Sequence, residues 1–206
     1  MTAPRRLTAA FIALGIISLS GSPTSLSGDV SAAPDPFSYA AFESSEEAYR
    51  AAELLGNLHT GLLPGEISRV AVAIAVESSR ADLPIELVLA VIQVESSGYN
   101  FAVSPVGAMG LMQLMPATAE GVARRIGLRW VGSPTLFDPV SNVQLGVFYL
   151  RELLDRYGSV TTALAAYNWG PTRIAERLRR GEPVPALYAQ RVLSVYEEAK
   201  HATLQI

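Results

Sequence analysis

The chain of 206 residues has no cysteine, only two histidines and no excess of positive charge. Without cysteine there is no disulfide, no thiolate metal ligand and no lipidated cysteine. His59 and His201 lie far apart in the sequence, which argues against a metal site. The 16 Lys and Arg stand against 19 Asp and Glu, a net charge of −3, whereas nucleic-acid-binding domains are basic. We therefore expect no metal, no cofactor and no nucleic-acid partner.

The N-terminus has the pattern of an export signal. Arg5 and Arg6 precede the apolar run Leu7–Leu19, and small residues then lead to Val30-Ser31-Ala32. This order is typical of a cleavable signal peptide. The run is shorter than the roughly 20 apolar residues of a transmembrane helix, and an uncleaved anchor is the alternative. We predict a signal peptide at 1–32 and a periplasmic or secreted protein.

The rest of the chain has the hydrophobic pattern of helices. Half of its residues are apolar, and they recur at i, i+3 and i+4 rather than in alternation. Prolines and glycines separate the helical stretches, which we predict near 44–55, 67–81, 85–96, 116–126, 139–156, 161–168 and 186–199. The fold class is therefore mainly α. We predict a linker and N-terminal helix at 33–62 and a single helical domain at 63–200.

Glu95 stands at the end of the predicted helix 85–96, just before a glycine-containing loop. Val88 and Val91 precede it on the same helical face, so its carboxyl is expected to be partly buried. Burial and the helix C-terminal dipole both raise the pKa of a carboxyl group. A general acid needs such a pKa near neutral pH. A glutamate that only bonds a neighbouring loop fits the helix pattern equally well.

Glu77 is a second candidate, because Val-Glu-Ser-Ser occurs at 76–79 and again at 94–97. Arg80 follows Glu77 at i+3, where it can form an ion pair. No glycine loop follows this copy. We therefore predict a structural role for Glu77.

Two further segments contain polar and aromatic residues of the kind that bind sugars. Gln113 lies amid apolar neighbours in 104–116, and either a polysaccharide or the loop backbone would satisfy its amide. The methionines of this segment have helical spacing, which favours core filling over ligand contact. The second segment, AAYNWGP at 165–171, is either part of a sugar site or a helix C-cap with a packed tryptophan.

Five short motifs follow one another in a characteristic order. They are ES at 95–96, SPVGA at 104–108, GLMQ at 110–113, YL at 149–150 and AYN at 166–168. This set resembles the lytic transglycosylases with a soluble-transglycosylase (SLT) domain, which are relatives of goose-type lysozyme. The resemblance covers about residues 67–196 and implies a lysozyme-like helical fold. It favours Glu95 over Glu77, because only Glu95 precedes the loop and the GLMQ motif.

The resemblance also implies roles for residues of the first three motifs. Glu95 is expected to be the single catalytic acid/base. Ser104 is expected to lie near the acetamido group of the muramic acid being cleaved. Met112 and Gln113 are expected to line the glycan cleft.

Residues nearer the C-terminus acquire expected roles in the same way. The resemblance implies that Tyr167 hydrogen-bonds the catalytic carboxyl and that Asn168 supports the cleft. Asn142 and Gly146 match a framework stretch that packs a helix. Trp169 departs from the family pattern, which usually has a small residue after Tyr-Asn, so its effect on the sugar subsites is open.

The activity that the resemblance implies is that of a peptidoglycan lytic transglycosylase. Such a lyase cleaves the β-1,4 bond between N-acetylmuramic acid and N-acetylglucosamine and leaves a 1,6-anhydromuramic end. The alternatives are a hydrolytic lysozyme of the same fold and an inactive wall-binding assembly factor. Short members of the family often serve transport machines, so a secretion or other envelope-spanning machine is a candidate partner. The protein itself is expected to be a monomer.

Overall fold

The computed structural model describes residues 38–203, with side chains to residue 201, so the predicted signal peptide lies outside the described residues. Across that range the helices are α1 Tyr39–Phe42, α2 Glu46–Gly56, α3 Pro64–Ala81, α4 Ile85–Ser96, α5 Pro116–Ile126, α6 Pro139–Tyr157, α7 Val160–Trp169, α8 Pro171–Arg179 and α9 Leu187–Thr203, with a 3₁₀ helix at Ser133–Phe137. The same residues form no strand, only two isolated bridges. The predicted mainly helical fold is confirmed.

Most helix ends follow the local sequence, whereas four features differ from the expectation: α1, the start of α3, α8 and the end of α9. α3 begins at Pro64, because proline is well suited to a first helical turn and the Glu66 carboxylate accepts the Leu63 N–H at 2.8 Å. Pro171 not only ends α7 but also begins α8, a helix absent from the sequence-based prediction. None of the helices between residues 38 and 203 has both the length and the hydropathy needed to cross a membrane.

The central helix of the fold is α4, and it carries Glu95. Its residues 85–92 are all buried. It packs against α2, α3 and α9, so its apolar sequence faces other helices on every side. A helix packed this closely holds its last turn in a fixed position. The Glu95 side chain is therefore presented from a rigid support.

The N-terminal helix α2 belongs to the same core. Ala51 and Leu55 are fully buried, and the Arg50 guanidinium forms an ion pair with the buried Glu86 carboxylate of α4. The predicted boundary at 62/63 thus falls beyond a helix that packs on α3 and α4. Deletion of 33–62 would therefore expose core side chains.

Asn142 of α6 fixes the loop that carries the GLMQ motif. Its fully buried side chain accepts the Met112 N–H at 2.8 Å and donates to Met109 O at 3.1 Å and Leu136 O at 2.9 Å. Gly110 permits this approach, since a Cβ there would lie 2.2 Å from Asn142 Nδ2. One buried amide therefore joins three separate segments.

Met112 is a correction to the expected site. Its side chain is fully buried in the main core, packed against Gly146 of α6, and does not line the cleft. Core filling is the role that methionine spacing favoured. The contribution of Met112 to the site comes through its backbone.

The contact between Met112 and Gly146 gives a test of this packing. A Cβ on Gly146 would lie 2.3 Å from Met112 Sδ, so Gly146→Ala is expected to lower the free energy of unfolding by about 1–3 kcal/mol. Gly121→Ala in α5 is the matched control, because its Cβ would meet nothing closer than 3.5 Å. The control should stabilise by about 0.5–1 kcal/mol. Urea unfolding measures the free energy of unfolding of both variants. Equal changes in the two would contradict the close packing of Met112 against Gly146.

Candidate active site

A cleft of about 410 Å³ opens where α4 ends, between the loop after it and the end of α7. Its wall includes the catalytic candidate and four of the five predicted substrate-binding residues. They are Glu95, Ser104, Gln113, Tyr167 and Asn168. Trp169 lines the same cleft. The structure thus brings together side chains that are 73 residues apart in sequence, from 95 to 168.

The Glu95 carboxyl is partly buried and has one tyrosine partner. The Tyr188 hydroxyl donates a hydrogen bond to Glu95 Oε1 at 2.6 Å. Burial raises the pKa of Glu95 to about 7, against the lowering effects of the Tyr188 hydrogen bond and the positive charge of Arg191. The raised pKa expected for this position is confirmed. At neutral pH the group is poised both to donate and to accept a proton.

The expected hydrogen bond from Tyr167 to Glu95 is wrong. The Tyr167 hydroxyl donates instead to Met112 O at 2.8 Å, and its single hydrogen is used there. Tyr188, on α9, is the partner of the carboxyl, and sequence reasoning missed it. A tyrosine on a buried helical face needs a partner for its hydroxyl, which was the available indication. Nothing local points to a glutamate 93 residues away.

Gln113 adopts an unusual backbone conformation at the cleft wall. Its φ of 47° lies in the left-handed region, which non-glycine residues rarely occupy. Its Nε2 donates to Ala102 O at 3.0 Å and to Gly110 O at 2.8 Å. Loop backbone therefore satisfies the amide nitrogen. The amide oxygen is the atom through which Gln113 can accept a hydrogen bond from a ligand.

Ser104 also has a structural partner in the loop. Its Oγ accepts the Ala108 N–H at 2.9 Å, and its own N–H donates to Ala108 O at 2.9 Å. These bonds close the loop that forms one side of the cleft. Because Oγ is an acceptor here, its hydrogen is available for an acceptor on a ligand.

The GLMQ loop is held by hydrogen bonds from three helices. Ser96 Oγ of α4 donates to Leu111 O at 2.8 Å, next to the Tyr167 bond to Met112 O from α7. Asn142 of α6 supplies the third attachment. The ES, GLMQ and AYN motifs are thus connected through backbone carbonyl groups. Their order in the sequence reflects one continuous arrangement around the cleft.

Glu77 has the structural role predicted for it. Its Oε1 lies 2.9 Å from Arg80 Nη1, and the Tyr39 hydroxyl donates to the same oxygen at 3.3 Å. It lines a larger cavity of about 620 Å³ that also includes Arg125 and Arg151. That cavity shares no lining residue with the cleft at Glu95.

A helical domain with one glutamate at the end of a central helix, facing a cleft, defines the lysozyme-like class of transglycosylase domains. A family model described as "Transglycosylase SLT domain" matches residues 73–183, more than half of the chain. The chain therefore belongs to the SLT-domain transglycosylase family.

Individual relatives agree with this family. The chain is 47% identical over 97 residues to a transglycosylase of Enterobacteria phage PRD1, covering 47% of this chain and 33% of the phage protein. It is 35% identical over 99 residues to the soluble lytic murein transglycosylase of Escherichia coli K12, covering 47% of this chain and 15% of the relative. The chain thus spans a third or less of the length of these relatives.

Solved structures show the same fold. The lytic transglycosylase Slt of Pseudomonas aeruginosa, solved as an inactive mutant, superposes with a TM-score of 0.57 at 28% identity, covering 64% of this chain and 24% of that one. The 70 kDa soluble lytic transglycosylase of Escherichia coli gives a TM-score of 0.59 at 22% identity, covering 80% of this chain and 32% of that one. The second likeness concerns the fold alone.

The tyrosine assignment is tested by a pair of variants. Tyr188→Phe removes a hydrogen bond that lowers the pKa of Glu95, so the pKa should rise above about 7. Tyr167→Phe is the matched control: it should leave that pKa in place and cost about 1 kcal/mol through the lost bond to Met112 O. NMR titration of the glutamate carboxyl groups measures the pKa. If the pKa of Glu95 shifted in Tyr167→Phe and not in Tyr188→Phe, Tyr167 would be the hydrogen-bond partner of the carboxyl.

The raised pKa of Glu95 also predicts how stability varies with pH. Below about 4.5 the carboxyl is protonated in both states, whereas between about 4.5 and 7 only the unfolded chain ionises, so wild-type stability falls as pH rises. Glu95→Gln should match the wild type at pH 4 and be more stable at pH 8, by up to about 3 kcal/mol. Urea unfolding at the two pH values measures this difference. A difference that does not depend on pH would contradict it.

Proposed function

We propose that the protein is a peptidoglycan lytic transglycosylase that cleaves the β-1,4 bond between N-acetylmuramic acid and N-acetylglucosamine. The observation that carries the proposal is the single acid of the cleft. Among the described residues that line it, Glu95 is the only carboxylic acid. Most glycosidases use two carboxyl groups, one of which activates water or attacks the sugar. A cleft with one carboxyl suits a reaction in which the substrate supplies its own nucleophile.

The proposed reaction uses Glu95 twice. The protonated carboxyl donates its hydrogen to the glycosidic oxygen, and the bond from that oxygen to C1 of the muramic acid breaks. The acetamido group of the same sugar stabilises the cationic centre. The Glu95 carboxylate then takes the proton of the C6 hydroxyl, whose oxygen bonds to C1. The product is a 1,6-anhydromuramic end, no water is consumed, and Glu95 regains its proton.

The pKa of Glu95, about 7, supports both steps. Efficient proton transfer in each direction requires a pKa near the working pH. Tyr188 donates its hydrogen bond to the carboxylate form and lowers the pKa of Glu95, which supports the first step, the release of the proton.

We assign substrate-binding roles to polar residues along the cleft. The Ser104 hydroxyl hydrogen is available to the acetamido carbonyl, and the Gln113 amide oxygen can accept from a sugar hydroxyl or amide N–H. Asn168 and the ring of Tyr167 complete the wall. Met112 has no direct role, because its side chain is buried.

Two alternatives have different chemical requirements. A hydrolytic lysozyme of the same fold would need a water placed to attack C1, and the described residues of the cleft include no second carboxylate to activate one. An inactive assembly factor would have no use for a carboxyl whose burial disfavours its ionised form. Both observations favour the transglycosylase.

We propose that the enzyme acts outside the cytoplasm and opens the wall locally for an envelope-spanning machine. The export pattern at 1–32 supports this proposal. So does its similarity to a transglycosylase of a phage.

Product analysis tests the activity. Purified peptidoglycan treated with the wild type should release fragments with 1,6-anhydromuramic ends, detected by mass spectrometry. Glu95→Gln should lower the rate by about 10²–10⁴-fold. Glu77→Gln is the matched control and should retain activity, since Glu77 faces the other cavity.

Each contrary result points to one alternative. Reducing muramic ends in the products would identify a hydrolase. Equal rates for the wild type and Glu95→Gln would remove the catalytic role of Glu95. An inactive wall-binding assembly factor would then be the remaining explanation.

A further inference from the structure

Trp169 is an exposed tryptophan inside the cleft. It is the last residue of α7, directly after the AYN motif, and its side chain is 43% exposed. The second tryptophan of the chain, Trp130, packs against a core cluster that includes Leu136. Trp169 is absent from the side chains that pack on the clusters of the described core. Its large apolar surface therefore does little for the stability of the fold.

Arg173 holds the indole of Trp169. Its guanidinium carbon lies 5.3 Å from the centroid of the indole ring. Gly170, with φ of 89°, turns the chain between α7 and α8 and brings these two residues together. A cation over one face of a tryptophan is attracted by its π electrons. The ring is thereby oriented while its remaining surface stays open to the cleft.

We propose that Trp169, oriented by Arg173, is a sugar-stacking subsite of the cleft. The ligand is a pyranose ring of the glycan strand, whose apolar C–H face packs on the indole while its hydroxyl and acetamido groups reach the neighbouring Asn168. An ordered aromatic ring beside a polar amide provides both contacts at small entropic cost. This inference rests on the proposed function, because it names a substrate contact of the same cleft.

The subsite contributes binding and leaves the proton transfer to Glu95. Trp169→Ala should therefore raise KM for soluble glycan strands about three- to tenfold, the range expected for one aromatic contact. It should leave kcat and the pH profile unchanged. Trp169→Phe should keep most of the affinity, and Arg173→Ala should raise KM by a smaller factor. Tyr49→Ala is the matched control, an exposed aromatic side chain on α2 outside the cleft.

A second readout does not need catalysis. Soluble glycan strands added to Glu95→Gln should change the tryptophan fluorescence, and the change should disappear in Glu95→Gln/Trp169→Phe. Circular dichroism melting of each variant separates loss of affinity from loss of folding, with Trp169→Phe as the variant that preserves an aromatic ring.

The failures of the two proposals are distinguishable. If the wild type cleaves glycan and Glu95→Gln does not, the proposed function stands. In that case a KM within twofold of the wild type for Trp169→Ala, or a fall in kcat at constant KM, would overturn the stacking subsite. A wild type that is no faster than Glu95→Gln would overturn the proposed function, while the fluorescence change would still report on Trp169.

Discussion

The buried amide of Asn142 hydrogen-bonds the Met112 N–H and the carbonyl groups of Met109 and Leu136, and the shape of the cleft depends on this attachment. The loop that carries Gln113 satisfies part of its backbone with its own turn and bridge hydrogen bonds, such as those between Met109 and Leu114. Side chains of α4, α6 and α7 supply further partners. Because unpaired buried polar groups are costly, this loop has one low-energy path across the core. The left-handed Gln113 is stable only within such a framework.

The same framework explains why an exact sequence motif is needed where the chain forms a loop. Gly110 leaves space for the Asn142 amide, and Gly146 leaves space for the Met112 side chain. Both glycines are required by close approaches rather than by turns alone. The polar and apolar residues of GLMQ therefore have opposite roles, since Met112 enters the core and Gln113 faces the cleft. One short segment thus contributes Gln113 to the cleft wall and Met112 to the core.

Helix α4, the GLMQ segment and Tyr188 show what the sequence can and cannot predict. Helix α4 matches its predicted range, 85–96, because its apolar run is bounded by Pro84 and by the Ser97-Gly98 turn. The cleft residues Ser104, Gln113, Tyr167 and Asn168 follow from the family resemblance that the five motifs indicate. Met112 is misplaced because its cleft role came from the resemblance, whereas the methionine spacing favoured the core position that it occupies. Tyr188 escapes prediction because its bond to Glu95 joins α9 to α4, and a contact across 93 residues depends on the packing of the whole domain.

In the proposed reaction, the Tyr188 contact also affects how one carboxyl can perform two steps. Burial alone raises the pKa of Glu95 and favours the proton donor, whereas the Tyr188 hydroxyl and the charge of Arg191 favour the carboxylate. A fully solvated glutamate would be ionised at neutral pH and would have no proton for the leaving oxygen. A buried glutamate without such partners would hold its proton too firmly to give it to the glycosidic oxygen. The opposition between an apolar support and a single donated hydrogen bond gives a pKa of about 7, at which both proton transfers are accessible.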